Sequence, residues 1–247
     1  MKLCLAGTSV IEDIIKDNPP NFMLESFYSI KDWQIPYIKS SKLFLLDSGA
    51  FTFMSSNTKG KQFKYEDMLA YLDKYIDFIN KNDVDYFFEL DIDVIVGYDR
   101  VLDLRRKLEE KTGKKCIPVF HKNRGINEWE KMCREYDYVA IGCTGFNDSQ
   151  WTKNVNVLKQ MLQIARKYKT KVHGLGYTRG NIENMTFYST DSTSWLAGGR
   201  FGVIYNFKNG KMEKVSYANK RVKDYRIAHK HNLNEWIKYQ RYLDRGR

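Results

Sequence analysis

Acids at the ends of apolar runs are the residues of this chain best placed to do chemistry. Leu43 to Phe51 reads LFLLDSGAF, so Asp47 closes an apolar run and is followed by small residues. Tyr86 to Val94 reads YFFELDIDV, which spaces Glu89, Asp91 and Asp93 by two. Phe187 to Gly202 reads FYSTDSTSWLAGGRFG and sets Asp191 among Ser189, Thr190, Ser192, Thr193 and Ser194. Carboxylates are costly to bury without partners, so their recurrence at the ends of apolar runs marks a shared polar site. Two such acids form the device used on acetal-like carbons: one attacks the anomeric carbon of a sugar and the other protonates the leaving group.

Each of these residues also has a reading with no chemistry in it. Asp47 is an acid/base group, or a helix N-cap that only accepts amide hydrogen bonds. Ser48, Gly49 and Ala50 let the backbone turn sharply and a planar ligand come close. Glu89, Asp91 and Asp93 would share one face of a regular strand and repel unless a cation, a proton or a ligand N–H intervenes. Purine donors suit that cluster, and a solvated acidic loop is the alternative; the strand is expected to end near Asp91, with Asp93 beyond the pleat. Asp191 is an ionised nucleophile steadied by hydroxyls, or a structural acid in a Ser/Thr-rich turn. His121, in IPVFHKN, and His173, in VHGLG, are proton carriers and base contacts, or structural histidines. Gly142, Gly145, Gly174 and Gly176 admit a flat ligand, or simply make tight turns. There is no CxxC, GxSxG or P-loop, and no His/Cys/Asp spacing for a metal, so neither metal nor cofactor is expected.

The elements that must carry these residues alternate. Strands are expected at Lys2–Ala6, Lys42–Asp47, Tyr86–Asp93, Lys115–His121, Tyr138–Cys143, Lys171–Tyr177, Phe187–Asp191 and Phe201–Asn206. Helical periodicity fills Tyr65–Asn80, Asp99–Lys111, Asn127–Tyr136 and Asn154–Tyr168, and a last helix is expected at Asn234–Leu243. Strand–helix alternation with near-continuous apolar strands means a parallel sheet covered by helices. Eight strands fit a pared-down (β/α)8 TIM-type barrel, whose reactive groups gather at the C-terminal strand ends. No linker or repeat divides residues 1–247, so one domain is expected, with 208–247 a basic β/helical C-terminal extension.

Charge points to the partner. Forty-one Lys and Arg against thirty Asp and Glu give a net charge of +11. In the last forty residues they interleave with aromatics such as Tyr225 and Trp236, which suits a polyanion with stacking surfaces. A lysine-rich surface without a partner is the alternative, as is a buried place for Trp236. Four separated cysteines read as free thiols of a reducing compartment. Glu12 and Asp13 break any signal-like apolar start, and no run reaches the ~20 residues of a membrane span. The expectation is a soluble, cytoplasmic monomer.

In chain order, Asp47-Ser-Gly-Ala-Phe, the acid cluster, Ile-Gly-Cys-Thr-Gly, His-Gly-Leu-Gly and the strand-end Asp191 resemble the tRNA-guanine transglycosylase superfamily. The likeness covers about residues 40–205 and implies a modified (β/α)8 barrel that exchanges guanine for a 7-deazaguanine. It implies Asp191 as nucleophile and Asp47 as acid/base. Ser48, Gly49 and Phe51 of the same motif, Asp91 with Asp93, His121, Gly142, His173, Gly174 and Arg200 are implied at the substrate. The family's zinc site of three cysteines and a histidine is absent, and Phe120-His121 stands where tRNA enzymes carry glutamine. A short, zinc-free, basic chain is similar to the phage-associated branch that inserts 7-deazaguanines, such as 7-cyano or 7-aminomethyl forms, into DNA. That branch would place the protein in a host cytoplasm. Exchange on tRNA, another barrel enzyme such as a nucleoside hydrolase, and a catalytically silent nucleic-acid-binding paralogue are the alternatives.

Overall fold

The computed structural model describes residues 1–10, 12–57, 65–143, 148–180, 182–216 and 225–245. Gly145 and the basic residues Lys220, Arg221 and Lys223 lie outside them. Seven strands, β1 (Lys2–Ala6), β2 (Phe22–Ser26), β3 (Leu43–Asp47), β4 (Val119–Phe120), β5 (Tyr138–Gly142), β6 (Lys171–Leu175) and β7 (Ser189–Ser192), form one curled sheet. Every pairing is parallel, in the order β3-β2-β1-β7-β6-β5-β4.

Helices flank the sheet. They are α1 (Glu12–Asp17), α2 (Ile35–Ser40), α3 (Ala50–Asn57), α4 (Tyr65–Asn82), α5 (Asp93–Val96) and α6 (Tyr98–Thr112). The second half adds α7 (Ile126–Glu135), α8 (Asp148–Trp151), α9 (Val155–Lys167), α10 (Ala197–Phe201) and α11 (Tyr225–Arg245). Alternation along each strand sorts the core. Cys4, Ala6, Leu24, Leu45, Phe88, Val119, Tyr138 and Ala140 pack with one another inside the curl. The outward residues pack on α4 and α6 in one cluster and on α7, α9 and α11 in another.

The sheet corrects three expectations. Phe22–Ser26 is a strand that the sequence reading passed over, because Glu25 breaks its apolar run. Glu25 is fully buried, and its carboxylate accepts from the backbone N–H of Thr8 at 2.8 Å and from the Thr8 hydroxyl. The expected strand Tyr86–Asp93 shrinks to Tyr86–Glu89, which pairs only through isolated bridges. Leu46 N donates to Tyr86 O and Phe88 N to Leu46 O at 2.9 Å, and on the other side Ile117 N donates to Phe87 O at 2.8 Å. The expected eighth strand is not in this sheet. It is β8 (Val203–Lys208), which pairs antiparallel with β9 (Lys211–Ser216). Asn209 and Gly210, with φ of 50° and 78°, join them in the two-residue hairpin that Asn-Gly favours.

Within the basic C-terminal segment, α11 is packed into the core rather than appended to it. Lys208 lies inside β8, and α11 buries Leu233, Trp236, Ile237 and Leu243. Gln240 of α11 donates to Leu3 O at 2.7 Å and to Phe22 O at 3.0 Å. Trp236 therefore packs inside the protein, while Tyr225 is 46% exposed. No helix among the described residues is long and apolar enough to cross a membrane.

Candidate active site

Asp47, Asp91 and Asp191 line one cavity of about 660 Å³, together with Ser26, Gly176, Ser192 and Arg200. The strand period explains the convergence. Asp47 is two residues beyond Leu45, and Ser26 two beyond Leu24, so both continue the concave face past the point where apolar side chains fill it.

β7 stands between β1 and β6, which brings Asp191 into the centre of the sheet. Its Oδ1 accepts from Gly176 N at 2.6 Å and lies 3.2 Å from Nε2 of His173. Its Oδ2 has no hydrogen-bond partner among the described residues. The surrounding hydroxyls do not hold this carboxylate, contrary to expectation. Thr190 lies on the opposite face and reaches the carbonyls of Gly174 and Tyr177 at 2.8 and 2.5 Å. Ser192 Oγ accepts from Ser194 N at 3.1 Å, and Ser189 Oγ lies 2.6 Å from Nδ1 of His173. A backbone amide and an imidazole take the place that the sequence suggested for hydroxyls.

Asp91 also leans on a histidine. His121 Nε2 is 2.5 Å from Asp91 Oδ1, and its Nδ1 is 2.6 Å from Asp148 Oδ2. Burial alone would lower the imidazole, but hydrogen bonds to Asp148 and Asp91 outweigh it and push His121 up to about 10. Asp148 is fixed in turn by Trp151 Nε1 at 2.7 Å and Lys122 N at 3.2 Å. The repulsion expected of Glu89, Asp91 and Asp93 is answered by Arg124, a residue the sequence reading did not single out. Its guanidinium lies 3.0 Å from Glu89, 3.7 Å from Asp91 and 3.1 Å from Asp93. Arg105 closes the other side of Glu89 at 2.6 Å. Ligand atoms of Asp91, Asp93 and His121 come within 4.8 Å of one another, close enough for a metal. The donor set does not fit one: both imidazole nitrogens face carboxylates, and Arg124 already supplies the positive charge.

Asp47 is held by the turn that follows it. Gly49 N donates to Asp47 Oδ2 at 3.0 Å. Gly49 has φ of 64°, and a Cβ there would lie 2.3 Å from Ser26 Oγ, so only glycine fits. Burial pushes Asp47 up to about 6, and the nearby Asp91 and Asp191 add to this against the Gly49 amide. A carboxyl that titrates there exchanges a proton readily near neutral pH.

The other expected site residues separate. Arg200 reaches the cavity from α10. Ser48 is buried, with its carbonyl accepting from Tyr71 OH at 2.6 Å, and Phe51 is 59% exposed on α3. Asp93 opens α5 and is engaged by Arg124. Gly142 makes room for His121, whose ring would lie 2.9 Å from an added Cβ, and Gly174 makes room for Phe187. His173 is fully buried behind Asp191. Among known proteins, no family model and no curated sequence matches the chain.

Proposed function

We propose that this chain is a base-exchanging glycosyltransferase of the tRNA-guanine transglycosylase type, which replaces guanine in DNA by a 7-deazaguanine. The observation that carries the reading is the convergence of Asp47, Asp91 and Asp191 on one cavity, each tied differently. We read the sheet as a pared-down (β/α)8 barrel with Tyr86–Glu89 as its remaining stave; the bridges on both sides of that segment support this.

In this mechanism Oδ2 of Asp191 attacks C1′ of the deoxyribose. The C1′–N9 bond breaks, its electron pair leaves with guanine, and Asp47 gives the base a proton. The incoming 7-deazaguanine returns a proton to Asp47 as its N9 attacks C1′ and releases Asp191. Asp91, anchored through Oδ1, offers its other oxygen to the N–H donors of the purine edge. Basic residues, with a net charge of +11, hold the phosphates.

The test is covalent trapping. Duplex DNA, single-stranded DNA and tRNA are each incubated with labelled guanine and a 7-deazaguanine, then denatured. Wild type should give an adduct that resists denaturation, and base exchange; Asp191→Ala should give neither while melting like wild type. Exchange by Asp191→Ala overturns the mechanism. Exchange into tRNA alone would change the polymer and keep the chemistry. Polymer binding without adduct or exchange would identify a silent paralogue.

A further inference from the structure

Resting on the reading of Asp191 as nucleophile, we propose that His173 is its positioning residue, held in one tautomer by a buried chain that begins at Tyr138 and passes through Ser189. Three neighbouring strands supply the chain. Tyr138 opens β5, His173 is central in β6, and Ser189 opens β7 in register with His173. All three are buried. The Tyr138 hydroxyl contacts Ser189 Oγ, Ser189 Oγ is 2.6 Å from His173 Nδ1, and His173 Nε2 is 3.2 Å from Asp191 Oδ1.

The chemistry of the two ends sets the direction of every proton. An ionised carboxylate only accepts, so His173 must carry its proton on Nε2. The bare Nδ1 then accepts from Ser189, and the Ser189 oxygen accepts from Tyr138. Burial holds the Tyr138 phenol far above its ordinary value, so it remains a donor. The ring of Phe88, with its centroid 5.3 Å from that of His173, restrains the imidazole from the side. Each link fixes the next, and the last fixes Oδ1 of Asp191 together with the amide of Gly176. Oδ2 is thereby left with one direction of approach to a sugar carbon. In the glycosyl ester Oδ1 becomes the carbonyl oxygen and still accepts from both donors, so the same chain serves both halves of the exchange.

Long-range proton–nitrogen spectra of the four histidines read the tautomer directly, with His173 identified as the signal lost in His173→Gln. A proton on Nε2 and a bare Nδ1 are expected, with a shift toward mixed tautomers in Ser189→Ala. A proton on Nδ1, alone or with one on Nε2, overturns the proposal. In exchange assays His173→Phe should lower kcat about 10–100-fold with little change in KM, because a donor to a charged group is lost. His173→Gln, whose amide N–H reaches the same place, should recover most of that rate. Equal kcat in the two variants overturns the proposal as well. If wild type exchanges no base on any polymer, the functional reading fails, and the spectra still decide whether His173 is held as described.

Discussion

Two carboxylates of the cavity lean on histidines, and the histidines differ in what stands behind them. Behind Asp91, His121 turns its second nitrogen to Asp148 at 2.6 Å. Behind Asp191, His173 turns its second nitrogen to the Ser189 hydroxyl at the same distance. A ring between two carboxylates satisfies both only by carrying two protons, whereas a ring between a carboxylate and a hydroxyl needs one. The Asp91 side is a knot of alternating charges that takes in Arg124, Arg105, Glu89 and Asp93. The Asp191 side is a line of hydrogen bonds. One imidazole–carboxylate contact thus clamps a wall in the first case and, in the proposed mechanism, aims the attacking oxygen in the second.

The contrast should show most strongly in stability. Arg124→Met leaves Glu89, Asp91 and Asp93 short of a buried counter-charge and should destabilise the fold by about 3–5 kcal/mol. Ser189→Ala, on the side held by hydrogen bonds alone, leaves the buried Tyr138 hydroxyl and His173 Nδ1 without this partner and should cost less, about 1–3 kcal/mol. Denaturant titrations of both variants read this, and equal losses would erase the distinction between the walls.

Asp148→Asn should make the two histidines more alike. His121 has its pKa raised in the fold, so its contribution to stability is complete below the unfolded value near 6.5 and is lost as pH rises through about 10. With an amide in place of Asp148 the folded value falls, and that loss moves to lower pH. Melting curves from pH 6 to 10 should show wild type ahead by roughly 2 kcal/mol at pH 7, with the gap closing at the alkaline end. Parallel curves would mean that His121 is not charged by its two neighbours.

Asp47→Asn should separate stability from activity. With its folded pKa raised to about 6, ionised Asp47 weakens the fold as pH climbs from the ordinary carboxyl range through 6. The amide removes that penalty, so the variant should gain about 1–2 kcal/mol at pH 7.5 and nothing below pH 4. Base exchange should slow by ~100-fold or more. A destabilised variant at pH 7.5 would show that burial, with the neighbouring acids, does not hold the Asp47 carboxyl above its ordinary range.

Residues at strand ends were legible, and their partners were not. Asp47 and Asp191 stand out because an apolar run stops on an acid, and both reach the cavity. The long helices α4, α6, α7 and α9 lie within two residues of their expected bounds, since their periodicity is strong. Asp148 gave no signal, because it lies 27 residues from His121 and follows no apolar run. The Tyr138–Ser189 contact spans 51 residues and joins the beginnings of strands, where no chemistry was sought. Arg124 looked like one more surface cation in HKNRG, though its side chain is 1% exposed. Glu25 hid β2, and the density of Lys and Arg in α11 hid how far the helix expected at Asn234–Leu243 extends and how much of it lies in the core.

The placement of β7 beside β1 bears on how the protein is made. Lys2 pairs with Ser189 and Cys4 with Asp191, so β1 receives a neighbour that leaves the ribosome nearly two hundred residues after it. Gln240 then locks the same strand from α11, across 237 positions of sequence. Such distant pairings close late. A nascent or prematurely terminated chain that stops before Ser189 has Asp47 and Asp91 but no Asp191 between its strands. Under the proposed mechanism such partly made copies lack the attacking carboxylate, and the fold withholds that reactivity until β7 has been made and paired with β1.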